Sequence, residues 1–189
     1  MLATHCIAAV QGEGEGRGAI VHVDKELDDA ASGAPIASLR SVEFLRADGG
    51  CGSWGEERAA LAPLPADFRA ELTADYATAP QAAPLYRLAS GDLMPIHADP
   101  GAARRAGFER PVSHGLANLG LACRAVLKRY APGAPERVRE MGVRFAQPGL
   151  PGDTMRIELQ AEADPVRFRA RAVERDVLLL DRGYCRLEC

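Results

Sequence analysis

One tract with the period of a helix is followed by a longer tract with the period of a strand, and few folds accommodate that order within 189 residues. Residues 114–130 carry Leu116, Leu119, Cys123, Val126, Leu127 and Tyr130 at helical spacing, with Arg124, Lys128 and Arg129 on the rest of the surface or its margins. Ser113 is a good N-cap for such a helix, and Ala131-Pro132-Gly133 is a stop. From Val138 onward apolar residues recur at every second position, as Met141, Val143 and Phe145, then Met155, Ile157, Leu159 and Ala161 beyond a turn at residues 148–153. Phe168, Ala170 and Ala172 alternate with Arg167, Arg169 and Arg171, and residues 177–187 supply one more strand. The expected architecture is therefore α+β, with four antiparallel strands curled round one long helix that buries its apolar stripe.

The N-terminal part reads differently. Residues 18–27 and 37–45 alternate and are joined by a polar connection at residues 28–33, which predicts an antiparallel pair. Residues 56–84 are rich in Ala and Pro and suit a surface linker better than a packed element. A net charge of −3 and scattered arginines argue against a nucleic-acid partner. No apolar run approaches the roughly 18 residues that span a bilayer, and the first residues lack the basic start and apolar length of a secretory signal. The reading is a soluble, cytoplasmic protein without a membrane partner; the last four residues, Arg-Leu-Glu-Cys, are not a Ser-Lys-Leu type peroxisomal address. The five cysteines, Cys6, Cys51, Cys123, Cys185 and Cys189, are odd in number and form no CxxC pair, against both a disulfide framework and a zinc knuckle. His5 and His22 have no partner at metal-ligand spacing.

The densest chemistry lies in residues 86–116, YRLASGDLMPIHADPGAARRAGFERPVSHGL. Asp92 and His97 on one stiff loop can grip a single water between carboxylate and imidazole. Pro95 stands between them, Pro100 and Pro111 bound the segment, and Gly91 lets the chain turn just before the acid. At the predicted helix start the Gly115 N–H lacks an intrahelical partner and can meet a developing oxyanion. Each residue has a plainer role available. Asp92 can be a turn-former and His97 a structural histidine, His114 can simply pack or cap, Asp99 can cap a short helix, and Tyr86 and Phe108 read as core.

These residues resemble the hydratase 2 motif of the MaoC-like (R)-specific enoyl-CoA hydratases, which have the hotdog fold. The family pattern of an aromatic residue, Ser-Gly-Asp, a variable residue, Asn-Pro, an aliphatic residue and His is met by Tyr86, Ser90, Gly91, Asp92, Pro95, Ile96 and His97, and its His-Gly-Leu helix start by His114, Gly115 and Leu116. Met94 stands where the family has Asn. The resemblance extends over essentially the whole chain and implies strands ending a first, incomplete hotdog in residues 1–60, a linker in 61–84 and a catalytic hotdog in 85–189. Relative to two-hotdog members an N-terminal portion with the first hotdog's own helix is missing, so the chain is either a shortened form or pairs with another copy, a homodimer being favoured. The resemblance implies Asp92, His97 and Gly115 as catalytic, and Ser90, Gly91, Met94, Pro95 and His114 as substrate-binding. It also implies reversible hydration of trans-2-enoyl-CoA to (3R)-hydroxyacyl-CoA, with no metal or redox cofactor and the acyl group carried as a coenzyme A thioester. Which of Asp92 and His97 is acid and which base stays open. Arg104, Arg105 and Arg110 either meet CoA phosphates or form a solvated face. The alternatives are a non-catalytic acyl-CoA-binding or subunit-forming protein, for which Met94 would mark a decayed site, and an acyl-CoA thioesterase.

Overall fold

The computed structural model describes residues 1–56, 58–160 and 165–188, in two units, Met1–Ala60 and Leu61–Cys189. In the first unit β1 (Leu2–Gly12), β2 (Ala19–Asp28), β3 (Pro35–Leu45) and the two-residue β4 (Trp54–Gly55) form a sheet in the order β3-β2-β1-β4, with antiparallel pairings throughout. The predicted antiparallel pair is β2 with β3. Its turn is held by the Asp29 carboxylate, which accepts from the N–H groups of Ala31 and Ser32. Sequence reading missed β1, because a bulge between Ile7 and Ala9 shifts its register and breaks the period-two pattern. Among the described residues this unit contains no helix.

The second unit runs β5 (Leu72–Ala77), α1 (Ala82–Ser90), a 3-10 turn (Pro95–His97), α2 (Pro100–Arg105), α3 (Gly115–Tyr130), then β6 (Val138–Phe145), β7 (Thr154–Gln160), β8 (Val166–Ala172) and β9 (Val177–Leu187). The five strands form one antiparallel sheet in the order β5-β7-β8-β9-β6, with α3 packed on it. This is the expected helix-and-sheet layout with one strand added. Residues 61–84 are not merely a linker: Leu72, Ala74 and Tyr76 of β5 pack against the core, and Pro84 lies inside α1. An Ala-rich, six-residue strand has too little β-propensity to announce itself; its pairing with β7 stabilises it. Ala161 and Cys189 fall outside the described residues.

The alternation in the sheet is the one read from sequence. Met155, Ile157 and Leu159 on β7 and Val166, Phe168, Ala170 and Ala172 on β8 point inward, while Arg167, Arg169 and Arg171 face outward. Arg169 pairs there with Glu158, and Arg171 with Asp176. Phe168 is fully buried opposite Gly183, where a Cβ would fall 2.5 Å from its ring and 2.4 Å from its carbonyl oxygen, so only glycine fits. The helix keeps part of its expected face, since Leu119, Val126 and Tyr130 meet the core, and differs in the rest. Its buried residues are Asn118, Ala122, Ala125 and Val126, whereas Leu116 is exposed and Cys123 and Leu127 are only partly covered. Small alanines let the helix backbone approach the sheet closely, and that outweighed the larger stripe. No helix among the described residues is long and apolar enough to cross a membrane.

Truncating Phe168 to Ala removes the largest fully buried side chain. Denaturant unfolding is expected to show a loss of about 3–5 kcal/mol for this unit.

Candidate active site

The site is built from main-chain bonds outward. Helix α1 ends at Gly91, whose φ of 73° is the left-handed cap conformation and whose N–H donates to the Arg87 carbonyl. This supplies the sharp turn expected before Asp92. The Ser90 hydroxyl donates to the Tyr86 carbonyl at 2.8 Å and accepts the Asp92 N–H at 3.2 Å. Asp92 Oδ1 accepts the Met94 N–H at 3.1 Å, a local turn that fixes the carboxylate. Asp99 caps α2 as expected, its side chain accepting the Gly101 N–H. Ser90 and Gly91 thus act on the backbone that carries Asp92. Met94 is exposed, as is Pro95, and neither side chain is buried with the others.

Two bonds join this loop to the start of α3. The Val112 N–H donates to the Ile96 carbonyl, and the Val112 carbonyl lies 2.8 Å from His97 Nδ1. A carbonyl can only accept, so Nδ1 carries the proton and Nε2 presents a lone pair. One residue on, the Ser113 N–H donates to the Gly149 carbonyl at 2.8 Å. Ser113 is therefore not the cap. That position falls to His114, which has extended backbone and whose carbonyl accepts the Asn118 N–H. Gly115 becomes the first helical residue, and its N–H has no partner within the helix, as the motif required. Phe145 packs against it, 3.0 Å from where a Cβ would stand.

Asp92, His97 and His114 converge, with one donor or acceptor atom of each within 4.8 Å of the others. The His97 and His114 rings stack at 3.7 Å between centroids, 23° from parallel, and His114 Nε2 is 4.0 Å from Asp92 Oδ2. His114 is 2% exposed and both its ring nitrogens lack a hydrogen-bond partner; Tyr86 covers its other side at 4.8 Å. Burial, the positive field of a protonated His97 and Arg87 hold its pKa below 6.5, against the opposing pull of Asp92. Sequence reading treated His114 as a packing or capping residue with a substrate contact. It gives no side-chain cap, and the only signal for its place was its position next to Gly115. Two imidazoles and a carboxylate are also metal-ligand types, but near-parallel stacked rings do not converge on a point about 2 Å from both nitrogens.

A groove of about 620 Å³ runs from this cluster between β5, α1 and α3. Tyr76, Leu85, Ala89, Ala117 and Leu121 line it with apolar surface, and Ser113 and His114 also border it. Two residues with no sequence signal hold the turn whose Gly149 carbonyl accepts the Ser113 N–H. Buried Asp153 accepts from the Leu150 N–H and from Arg175, which also donates to the Pro148 carbonyl, so the turn carrying Gly149 is pinned. Arg104, Arg105 and Arg110 are exposed.

A family model described as MaoC like domain matches residues 65–182 of this chain. The chain belongs to the MaoC-like domain family. A Drosophila melanogaster protein named peroxisomal multifunctional enzyme type 2 is 36% identical over 176 residues, 92% of this MaoC-like chain and 29% of that protein. A Dictyostelium discoideum protein named probable enoyl-CoA hydratase 2 is 33% identical over 175 residues, 92% of this chain and 60% of its own length. The crystal structure of a MaoC-like dehydratase from Phytophthora capsici superposes with a TM-score of 0.88 at 29% identity, covering 98% of this chain and 61% of that one. The chain thus spans less than two thirds of each of these proteins, and shares with the last the hotdog-like α+β fold. The names printed for the second and third of these relatives are those of a hydratase and a dehydratase.

The buried His114 has a consequence for folding. Unfolded, it takes up a proton near pH 6.5; folded, it resists, so its contribution is present above 6.5 and is lost as pH falls through the depressed folded value. Thermal melts from about pH 7.5 to 5 should show Tm falling at the acid end, and falling less in His114→Phe.

Proposed function

We propose that this MaoC-like chain adds water to a trans-2-enoyl-CoA, giving the (3R)-hydroxyacyl-CoA, and catalyses the reverse dehydration. The observation that carries this reading is the fixed tautomer of His97 close to Asp92, which leaves an Nε2 lone pair and a carboxylate within one cluster of polar atoms. In the hydration direction the water oxygen bonds to C3 as its proton passes to His97 Nε2, and the imidazolium returns a proton to C2 on the same face. Asp92 holds the water and balances the charge on His97, so the site ends as it began. The thioester oxygen gains negative charge as C3 is attacked, and the Gly115 N–H at the head of α3 is placed to receive it. The thioester makes the double bond electrophilic, so the protein supplies positioning and charge stabilisation and the scheme uses no resident cofactor. The apolar groove that begins at His114 takes the acyl chain.

Met94 does not undo this scheme, because the Asp92 carboxylate is oriented by the Met94 main-chain N–H, which any residue but proline would supply. The described cysteines are free thiols, which suits the reducing cytoplasm proposed as the place of action; the Drosophila relative carries peroxisomal in its name, and cell fractionation separates the two. A homodimer is proposed on the exposed apolar residues Val42 and Phe44 of β3 and is tested by sedimentation.

Loss of the conjugated enoyl-thioester absorbance is expected when the protein meets crotonyl-CoA, with a product oxidised only by a (3R)-specific dehydrogenase. Asp92→Asn should lower kcat by about 10²-fold or more. Release of free CoA thiol instead would establish the thioesterase reading, and binding without turnover the acyl-CoA-binding one.

The oxyanion role has its own test, because proline is well tolerated at the first helical position and His114 already has the extended backbone proline demands of its predecessor. Gly115→Pro is expected to fold yet lose about 10²–10³ in kcat. Gly115→Ala makes the same Cβ contact with Phe145 but keeps the N–H, and should lose far less.

A further inference from the structure

The hydration scheme leaves one titratable side chain of the cluster without a task. We propose that His114 is a positioning residue of this site: an uncharged imidazole that offers its Nε2–H to Asp92 and supports the His97 ring face-on, so that the proton in transit resides on His97 alone. The inference rests on the hydratase reading above and deepens it.

The placement of the proton on Nε2 follows from what surrounds the ring. His97 stacks on the ring from the 3-10 turn, Tyr86 meets it at a tilt from α1, Arg87 lies on the same helix, and Asp92 is the one anion among these neighbours. Both His114 nitrogens are buried and unpartnered, and an N–H aimed at an anion costs less than one aimed at carbon. The separation of 4.0 Å from Nε2 to Asp92 Oδ2 is too long for a hydrogen bond, yet a bridging water or a small movement of the residue 91–94 turn spans it. Since Oδ1 is already held by the Met94 N–H, this second donor fixes the remaining oxygen of the carboxylate.

The neutrality of His114 follows from the stack. Two imidazolium rings face to face at 3.7 Å repel strongly in a buried setting, so the pair carries one positive charge at most. His97 has the Val112 carbonyl at 2.8 Å to receive its Nδ1–H when protonated, while neither His114 nitrogen has an acceptor within hydrogen-bond distance and the Asp92 main chain and carboxylate only partly offset its burial. Burial also holds His114 below its ordinary pKa. The charge therefore settles on the ring that does the chemistry, and the other ring acts as a rigid, polar wall.

Long-range nitrogen–proton NMR of the labelled wild-type protein, titrated from neutral pH to below 6.5, tests this without reference to turnover. His114 is expected as the neutral Nε2–H tautomer throughout, beside a His97 whose Nδ1 keeps its proton; a cationic or Nδ1–H His114 overturns the proposal. In kinetics with crotonyl-CoA, His114→Phe keeps the stacked ring but loses the donor and is expected to lower kcat about tenfold or more with KM within about threefold, and to move the acid limb of the pH–rate profile. His114→Gln restores a donor near the Nε2 position and should recover much of that loss. Near-wild-type kcat in the Phe variant, a change confined to KM, or a Gln variant as slow as Phe would each overturn it. Absence of any turnover in the wild type defeats the hydratase reading instead, and the spectra still decide the state of His114.

Discussion

The hydrogen bond from His97 Nδ1 to the Val112 carbonyl organises the region where Asp92 and the two buried imidazoles meet. Together with the Val112 N–H on Ile96, it ties the acidic loop to the residues that open the long helix. Without it the loop carrying Asp92 and the helix start carrying His114 and Gly115 would be separate pieces of surface. With it, an imidazole of fixed tautomer and a carboxylate stand beside His114, which borders the groove, and the helix start at Gly115. A main-chain carbonyl is a durable orienting partner, since it depends on no side chain and cannot titrate.

Around that link, stability and function use the same contacts at different depths. The alanine face of α3 allows close approach to the five-stranded sheet, and this sets where the helix N-terminus lies. The turn before α3 is held from below by Gly149, whose own turn is pinned by Asp153 and Arg175. Distant residues therefore fix the site through backbone carbonyls, and none of them would be chosen as functional from its type. The cost of the arrangement is a buried histidine side chain without hydrogen-bond partners.

Much of the second unit was legible because its strands are long, half-buried and strictly alternating: β7 and β8 show the two-residue period in both sequence and burial. The elements missed were those whose existence depends on a partner. Strand β5 is short and alanine-containing, and β1 is interrupted by a bulge, so neither keeps a pattern long enough to read. The face of α3 was legible only in part: helical spacing picked out Leu119, Val126 and Tyr130, which meet the core, but also Leu116, which is exposed, and it passed over Ala122 and Ala125, which are buried.

For the site, sequence alone determined the chemistry available: an acid and an imidazole five residues apart on a proline-stiffened loop, and a glycine at a helix start. Those are local facts, set by residue type and by short-range turn and cap geometry. Which nitrogen of His97 is protonated, that His114 rather than Ser113 heads the helix, and that the two imidazoles stack were decided only by tertiary structure. Each depends on a group far away in the chain, the Val112 carbonyl, the Gly149 carbonyl and the loop before Pro100 respectively, and no local pattern encodes a contact whose partner is brought in by the fold.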